Sequence, residues 1–168
     1  MEIIALKPWQ PEDTERLQAY FNNIHIWNNL RDITPHPYTK EDAEHFIAAQ
    51  ETLTPVQNFA ITSNGEIAGG IGILLKSDIY RMNVELGYWI AEPWWGRKIA
   101  TEAVRLMTDY IFENFVINRI VAEVFEYNKA SMRVLEKNGY TLETVQRKGI
   151  LKNDILIDNY IWVKQKIY

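Results

Sequence analysis

A glycine between a predicted strand and a predicted helix is the first feature of this sequence that could support chemistry. Apolar residues alternate over positions 84–90, and Ile99, Ala103 and Met107 then recur at helical spacing. The strand is therefore expected to become a helix near Gly96. A turn of this kind directs backbone N–H groups and the positive end of the helix dipole at one small volume. The segment predicts a phosphate site that could hold a pyrophosphate.

The same segment resembles the coenzyme A loop of the GNAT acyltransferases, whose pattern is Q/R-x-x-G-x-G/A. The pattern falls on Trp95, Gly96, Arg97, Lys98, Ile99 and Ala100, with departures at Trp95 and Lys98. A second segment, from Asn128 to Tyr140, reads NKASMRVLEKNGY and resembles the N-x-x-S-x-R-V-L-E-K-x-G-F/Y hallmark of the RimJ/RimL branch. Because the two motifs occur in the expected order about thirty residues apart, the chain is identified by resemblance as a RimJ/RimL-type GNAT acetyltransferase.

This resemblance implies acetyl-CoA as the cosubstrate and a particular fold to hold it. The implied fold is α/β, a mixed α+β sheet of about seven strands splayed between the fourth and fifth, with four helices and the acyl-CoA in the gap. In the family the fourth strand carries a bulge whose backbone pairs with pantetheine. The implied cofactor-binding residues are Trp89, Ile90, Ala91, Trp95, Gly96, Arg97, Lys98, Ile99, Ala100, Thr101, Asn128, Ser131 and Arg133.

The leaving thiolate needs a proton donor, for which Asn128 and Ser131 are the candidate catalytic residues, and the resemblance to RimL-like enzymes points to Ser131. A short helix beginning at Asn128 would bring the Ser131 hydroxyl to its first turn, beside the splay. Many GNAT enzymes use a tyrosine seven residues after this asparagine, but that position is Leu135 here. The alternative is ordinary capping chemistry, with Asn128 as N-cap and Ser131 at the third helical position.

Two carboxylates compete for the role of general base. Glu123 lies five residues before Asn128, the spacing of a glutamate in RimI-like relatives, and Glu85 lies on the fourth strand. We favour Glu123, although each could simply point to solvent from a half-exposed strand. An α-amine with a pKa near 8 is ~10% neutral at pH 7, whereas a lysine amine is neutral in well under ~0.1%. A weak base therefore favours an α-amine acceptor.

Lys98 replaces the glycine that normally lets the loop approach the pyrophosphate. We expect Lys98 to lie already inside the helix, with helical dihedral angles, and to add charge toward a phosphate. Lys129, Arg133 and Lys137 form an i, i+4 row that could meet the coenzyme A phosphates or simply face solvent.

The other elements must position these residues. Asn64-Gly65 predicts a type I′ hairpin turn between strands Asn58–Ser63 and Glu66–Leu75. Helix Gly96–Phe115 followed by the strand RIVAEVFEY makes a βαβ unit and hence a parallel pair. The remaining predicted elements are a strand over Glu2–Lys7, helices over Pro11–Asn22 and Thr39–Glu51, a mobile connection over Asn22–Tyr38, a helix from Asn128 to Asn138-Gly139, and two final strands around Lys148–Asp154.

The amino-acid composition limits the classes of function that this chain can have. The 168 residues, 47% of them hydrophobic, suit a single domain over residues 1–168. A formal charge of -4 argues against direct nucleic-acid binding, and zero cysteines exclude disulfides and thiolate chemistry. His25, His36 and His45 share no ligand spacing, so we expect no metal. Without an apolar run of membrane-spanning length or a signal peptide, we expect a cytoplasmic protein with no membrane contact.

We therefore interpret the chain as an acetyl-CoA-dependent N-acetyltransferase acting on a primary amine, with a protein N-terminal α-amine favoured. The alternatives are a small-molecule amine, such as a polyamine, amino acid or antibiotic, or a non-catalytic acyl-CoA-binding module. By resemblance, Trp27, His36, Pro37 and Tyr38 would form the acceptor wall. The terminal strands leave room for a homodimer.

Overall fold

A computed structural model describes residues 2–167 of the chain as one mixed sheet covered by helices. The strands are β1 (Ile4–Pro8), β2 (Asn58–Ser63), β3 (Glu66–Leu75), β4 (Asn83–Ile90), β5 (Arg119–Phe125), β6 (Thr141–Lys152) and β7 (Ile155–Gln165). The helices are α1 (Thr14–Phe21), α2 (Ile24–Trp27), α3 (Lys40–Gln50), α4 (Ile99–Asn114) and α5 (Lys129–Lys137). The strand order is β1-β2-β3-β4-β5-β7-β6. This is the predicted mixed sheet, with the predicted parallel pair at β4 and β5.

The parallel pair is short, and its shortness creates the site. β4 and β5 pair only at Asn83–Arg119, Val84–Ile120 and Glu85–Val121. Beyond Glu85, β4 continues beside β3 to Ile90, while β5 continues beside β7 to Phe125. The sheet therefore opens into a wedge between its fourth and fifth strands, as the predicted fold requires.

The two faces of the sheet carry separate apolar cores because side chains alternate along each strand. On one face, α4 and α5 pack over residues such as Ile61, Val84 and Ile120. On the other face, α1 and α3 cover a smaller cluster that includes Trp9 and Ile47. Helices thus cover both faces of the sheet.

Local signals placed several elements correctly. Asn64 and Gly65 both have positive φ angles, 51° and 88°, between β2 and β3, which confirms the predicted hairpin turn. Thr39 and Asp42 form both bonds of the capping box at α3. The segment predicted to lack structure contains α2, whose N-terminus is capped by the side chain of Asn23.

The last hairpin is longer than the predicted strands around Lys148–Asp154. β6 forms the edge of the sheet and most of its side chains are exposed, so it shows little apolar alternation in sequence. Asn153 and Asp154, with φ angles of 50° and 61°, form its turn. This geometry is typical of a two-residue hairpin loop.

Candidate active site

A cavity of about 1060 Å³ fills the wedge between β4 and β5. Its wall combines the loop before α4, the first turn of α5 and the exposed ends of β4 and β5. The predicted site residues that line it are Glu85, Trp89, Ile90, Trp95, Gly96, Arg97, Lys98, Ile99, Ala100, Thr101, Glu123, Asn128, Ser131 and Arg133. Residues from four elements far apart in sequence therefore meet in one continuous space.

The loop before α4 forms one end of this cavity. Gly96 has a φ angle of 78°, and the backbone N–H groups of Gly96, Arg97 and Lys98 have no hydrogen-bond acceptor among residues 2–167. They stand at the N-terminus of a 16-residue helix. Unpaired N–H groups and the helix dipole together favour a bound anion, so the loop fits a phosphate group. Arg97 lies over the Trp94 ring at 4.9 Å.

The expectation that Lys98 has helical dihedral angles is wrong. Lys98 is the N-cap of α4 with φ 62° and ψ 11°, in the left-handed region, and the helix begins at Ile99 rather than Gly96. Lys98 thus adopts the positive φ angle that a glycine would adopt at this position, and the loop keeps its turn. Lysine carries a Cβ, so this conformation has an energetic cost. Lys98 nevertheless lines the cavity.

The β4 wall differs from the expected bulged strand. Its ladder with β3 runs in one register from Gly69–Ile90 to Leu75–Val84, so the wedge opens because β4 and β5 stop pairing, without an inserted residue. The Ala91 N–H donates to Ala68 at 2.8 Å, and Ala91 is fully buried outside the cavity lining. By alternation, the N–H groups of Tyr88 and Ile90 point away from β3, into the gap.

Helix α5 forms another wall of the cavity and places Ser131 beside Tyr88 of β4. The Asn128 side chain accepts from the Ser131 N–H at 3.1 Å, which confirms the N-cap of α5. The Ser131 hydroxyl lies 2.7 Å from the Tyr88 hydroxyl of β4. Burial raises the pKa of the Tyr88 phenol well above its usual range. Leu135, at the position of the usual family tyrosine, is fully buried in the core.

The two glutamates lie on neighbouring strands and share a cation. Nη2 of Arg31 contacts Glu85 and lies 3.6 Å from Oε2 of Glu123. Lys76 reaches the other Glu85 oxygen at 2.9 Å, so both oxygens of Glu85 are engaged. Glu123 accepts from the Asn159 amide on Oε2 at 3.0 Å, and its Oε1 has no hydrogen-bond donor among the described residues.

A second cavity of about 520 Å³ adjoins the first and shares Glu85 and Arg31 with it. Of the predicted acceptor wall, Tyr38 lines this cavity. His36 instead stacks on Trp27 at 5.5 Å.

The loop between α2 and α3, which bears Arg31, is held at its far side by β6. The Lys152 side chain is 3% exposed, lies over the Trp27 ring and donates to Asp32 at 2.6 Å. No signal in the sequence pointed to four residues of this site, because the residues that they contact lie far away along the chain. The four are Arg31, Tyr88, Asn159 and Lys152.

The basic row on α5 divides between two environments. Arg133 and Lys137 line the larger cavity, whereas the Lys129 ammonium lies 4.9 Å from the Tyr160 ring centroid.

Within residues 2–167, no group of three or more His, Cys, Asp or Glu side chains is placed to hold a metal ion. No helix in that range is long and apolar enough to cross a membrane.

The splayed sheet, the anion-binding loop and the serine at the wedge define an acyltransferase fold. The family model described as Acetyltransferase (GNAT) domain matches residues 4–141. The chain belongs to the GNAT acetyltransferase family, as the motifs predicted.

Individual acetyltransferases are also similar to this chain in sequence or in structure. "Probable N-acetyltransferase YjcK" of Bacillus subtilis is 41% identical over 76 residues, a match that spans 45% of this chain and 42% of the relative. "Putative ribosomal N-acetyltransferase YdaF" of the same organism is 26% identical over 90% of this chain and 85% of its own. The solved structure of Mycobacterium smegmatis RimJ in complex with CoA-disulfide has a TM-score of 0.85 at 19% identity, covering 96% of this chain and 81% of RimJ. That last similarity is one of fold.

Proposed function

We propose that this acetyltransferase transfers the acetyl group of acetyl-CoA to the α-amine of a protein N-terminus, by direct attack in a ternary complex. The observation that carries the proposal is the single cavity in which the anion-binding loop, Ser131 and Glu123 all meet. A phosphate site, a hydroxyl donor and a carboxylate are the groups that an acyl transfer from a coenzyme A thioester to an amine requires.

Acetyl-CoA would lie along the wedge with its pyrophosphate at the loop before α4. The N–H groups of Gly96, Arg97 and Lys98 have no acceptor among residues 2–167. The side chains of Arg97 and Lys98, which also line the cavity, add favourable positive charge. The pantetheine arm would then pair with the N–H groups that β4 turns into the gap, at Tyr88 and Ile90. Arg133 and Thr101 line the same space. The related fold of RimJ, solved with CoA-disulfide, supports this placement.

In the chemical step, the neutral amine nitrogen attacks the thioester carbonyl carbon. A backbone N–H of β4 stabilises the oxyanion that forms. Glu123 accepts a proton from the nitrogen, directly or through water. As the carbon–sulfur bond breaks, the electron pair goes to sulfur, Ser131 passes a proton to it, and the proton taken up by Glu123 returns through water to Ser131 Oγ. Nitrogen loses one proton and sulfur gains one, so the step balances.

Glu123 suits the role of base better than Glu85. Both oxygens of Glu85 contact cations, and its side chain is 15% exposed. Oε1 of Glu123 lacks a donor among the described residues, and the side chain is 34% exposed. A carboxylate with a free oxygen at the edge of the cavity can take a proton and pass it to solvent.

The acceptor class follows from the strength of this base. A carboxylate is a weak base, and a lysine amine would carry roughly 3 kcal/mol more deprotonation penalty than an α-amine. An α-amine is therefore favoured. The relative YdaF carries the name ribosomal N-acetyltransferase, which agrees with a protein N-terminus. We place the reaction in the cytoplasm, and the exposed edge strand β6 is where a second subunit would pair.

One observation favours a second candidate acceptor. The Arg31 guanidinium lies beside the two glutamates and is 51% exposed, so it could bind the carboxylate of a free amino acid whose α-amine meets Glu123. This acceptor would require the same chemistry but a smaller molecule.

A thiol-release assay with acetyl-CoA tests both candidates. The acceptors are one peptide with a free N-terminus and no lysine, the same peptide N-terminally blocked with one internal lysine, free amino acids, and polyamines. Turnover with the first peptide is the expected result. Turnover only with free amino acids would support the second candidate, and no thiol release with any acceptor despite coenzyme A binding would leave only the non-catalytic alternative.

A further inference from the structure

Tyr88 is a half-buried polar side chain that the proposed reaction leaves without a role. It lies on β4, beyond the last residue that pairs with β5, and its side chain crosses the wedge to α5. Its hydroxyl lies 2.7 Å from Oγ of Ser131, and it can also donate its one hydrogen to the Ser131 carbonyl oxygen, which at 3.3 Å is the more distant of the two acceptors. The tyrosine thus bridges the two walls at the point where Ser131 faces the cavity.

The direction of the hydrogen bond decides what Ser131 can do. A serine hydroxyl has one hydrogen, and so does a phenol. If Ser131 donates to Tyr88, that hydrogen is unavailable to the leaving sulfur. If Tyr88 donates to Ser131 Oγ, the serine hydrogen is free to point into the cavity.

We propose that Tyr88 is a positioning residue whose hydroxyl donates to Ser131 Oγ, so that the Ser131 hydrogen is directed at the thioester sulfur. The inference rests on the proposed role of Ser131. It assigns to β4 a side-chain function in addition to the backbone contacts of the wedge.

Tyr88 acts as a fixed donor and keeps its own proton throughout. An alkyl thiol has a pKa near ~8.5, whereas burial raises the phenol pKa above its usual value near ~10. A thiolate is therefore too weak a base to take the phenol proton, and Ser131 can pass its own proton to sulfur only because Oγ regains one through water in the same step. The hydrogen bond still strengthens as Ser131 Oγ gains negative charge, because bonds to charged acceptors are stronger than bonds to neutral ones.

Tyr88→Phe tests the proposal, and Tyr140→Phe is the matched control. Tyr140 is buried, and its hydroxyl lies 2.8 Å from Thr108 Oγ1, away from the cavity, so its loss removes a comparable hydroxyl–hydroxyl bond. We expect Tyr88→Phe to lower kcat about 10-fold to 100-fold while the KM for acetyl-CoA and the coenzyme A affinity stay within about 3-fold. Tyr140→Phe should leave kcat within about 2-fold.

The double variant distinguishes positioning from general support of the fold. If Tyr88 acts through Ser131, Tyr88→Phe should cause no further loss of kcat in the Ser131→Ala background. An equal loss in both backgrounds, an unchanged kcat, or a loss matched by Tyr140→Phe would overturn the inference. A wild-type protein that releases no thiol with any amine would instead defeat the proposed function itself, before any Tyr88 variant is measured.

Discussion

Nη2 of Arg31 lies 3.6 Å from Oε2 of Glu123, so the proposed base already has a cation beside it. The two side chains are 51% and 34% exposed, and such a pair contributes only ~0–1 kcal/mol. The contact is therefore weak enough for a substrate ammonium to replace it. In the proposed reaction, the acceptor amine approaches Glu123 beside Arg31.

Arg31→Ala should lower the KM for the amine acceptor about 3-fold to 10-fold, because the guanidinium no longer competes for Glu123. The KM for acetyl-CoA should not change. Lys76→Ala is the matched control, since Lys76 forms an ion pair with Glu85 and, within residues 2–167, none with Glu123. Steady-state kinetics with both substrates varied measures the effect. A higher amine KM in Arg31→Ala would show that Arg31 binds the acceptor, as a free amino acid requires.

Ser131→Ala should lower kcat about 10-fold to 1,000-fold and leave coenzyme A affinity within a few-fold. The structure separates this role from capping, because the α5 cap uses the Ser131 backbone N–H and the Asn128 side chain. Asn128→Ala should therefore reduce the free energy of unfolding by ~1 kcal/mol through loss of the cap, whereas Ser131→Ala keeps the cap and loses only its hydrogen bond with Tyr88. Single-turnover kinetics and denaturant unfolding measure the two effects. Unchanged turnover in Ser131→Ala would remove Ser131 from the mechanism.

Glu123→Gln should slow the reaction near pH 7 and recover as the pH rises toward the pKa of the amine, where more of the acceptor is already neutral. Glu85→Gln should show a smaller effect, because Arg31 and Lys76 already engage both Glu85 oxygens. The measurement is kcat/KM for the amine against pH in the three proteins. Rates that are equal and independent of pH in both variants would mean that the amine arrives neutral and that neither carboxylate acts as base.

Lys98→Gly should raise the free energy of unfolding by ~1 kcal/mol, because glycine adopts the φ angle of 62° without strain. Lys98→Glu should weaken coenzyme A binding about 10-fold or more, since it reverses a charge beside the phosphate site. Lys98→Ala is the control that removes the charge but keeps the strained backbone. Calorimetry with coenzyme A and thermal unfolding separate the two effects. Binding by Lys98→Gly at ligand concentrations where the wild type does not bind would show that lysine disrupts the loop.

Features that depend on near neighbours were predictable from the sequence. The Asn64-Gly65 turn, the Thr39 capping box and the Asn128 cap each involve residues within a few positions, so local residue types define them. The two motifs likewise placed Gly96 and Ser131 at one cavity. Lys98 is the local feature that was predicted incorrectly. A lysine usually avoids positive φ, but the loop and the helix packed behind it impose that conformation here.

Contacts across the wedge depended on the tertiary structure. Tyr88 and Ser131 are 43 positions apart, and Arg31 meets Glu85 from 54 positions away. Side chains alternate along β4, so the sequence predicts that Glu85 and Tyr88 lie on opposite faces of the sheet. The sequence does not specify which helix or loop covers each face. That pairing depends on how long β4 and β5 remain hydrogen-bonded. Because they pair at only three positions, the strands separate and bring Ser131 against Tyr88 and Arg31 against the two glutamates.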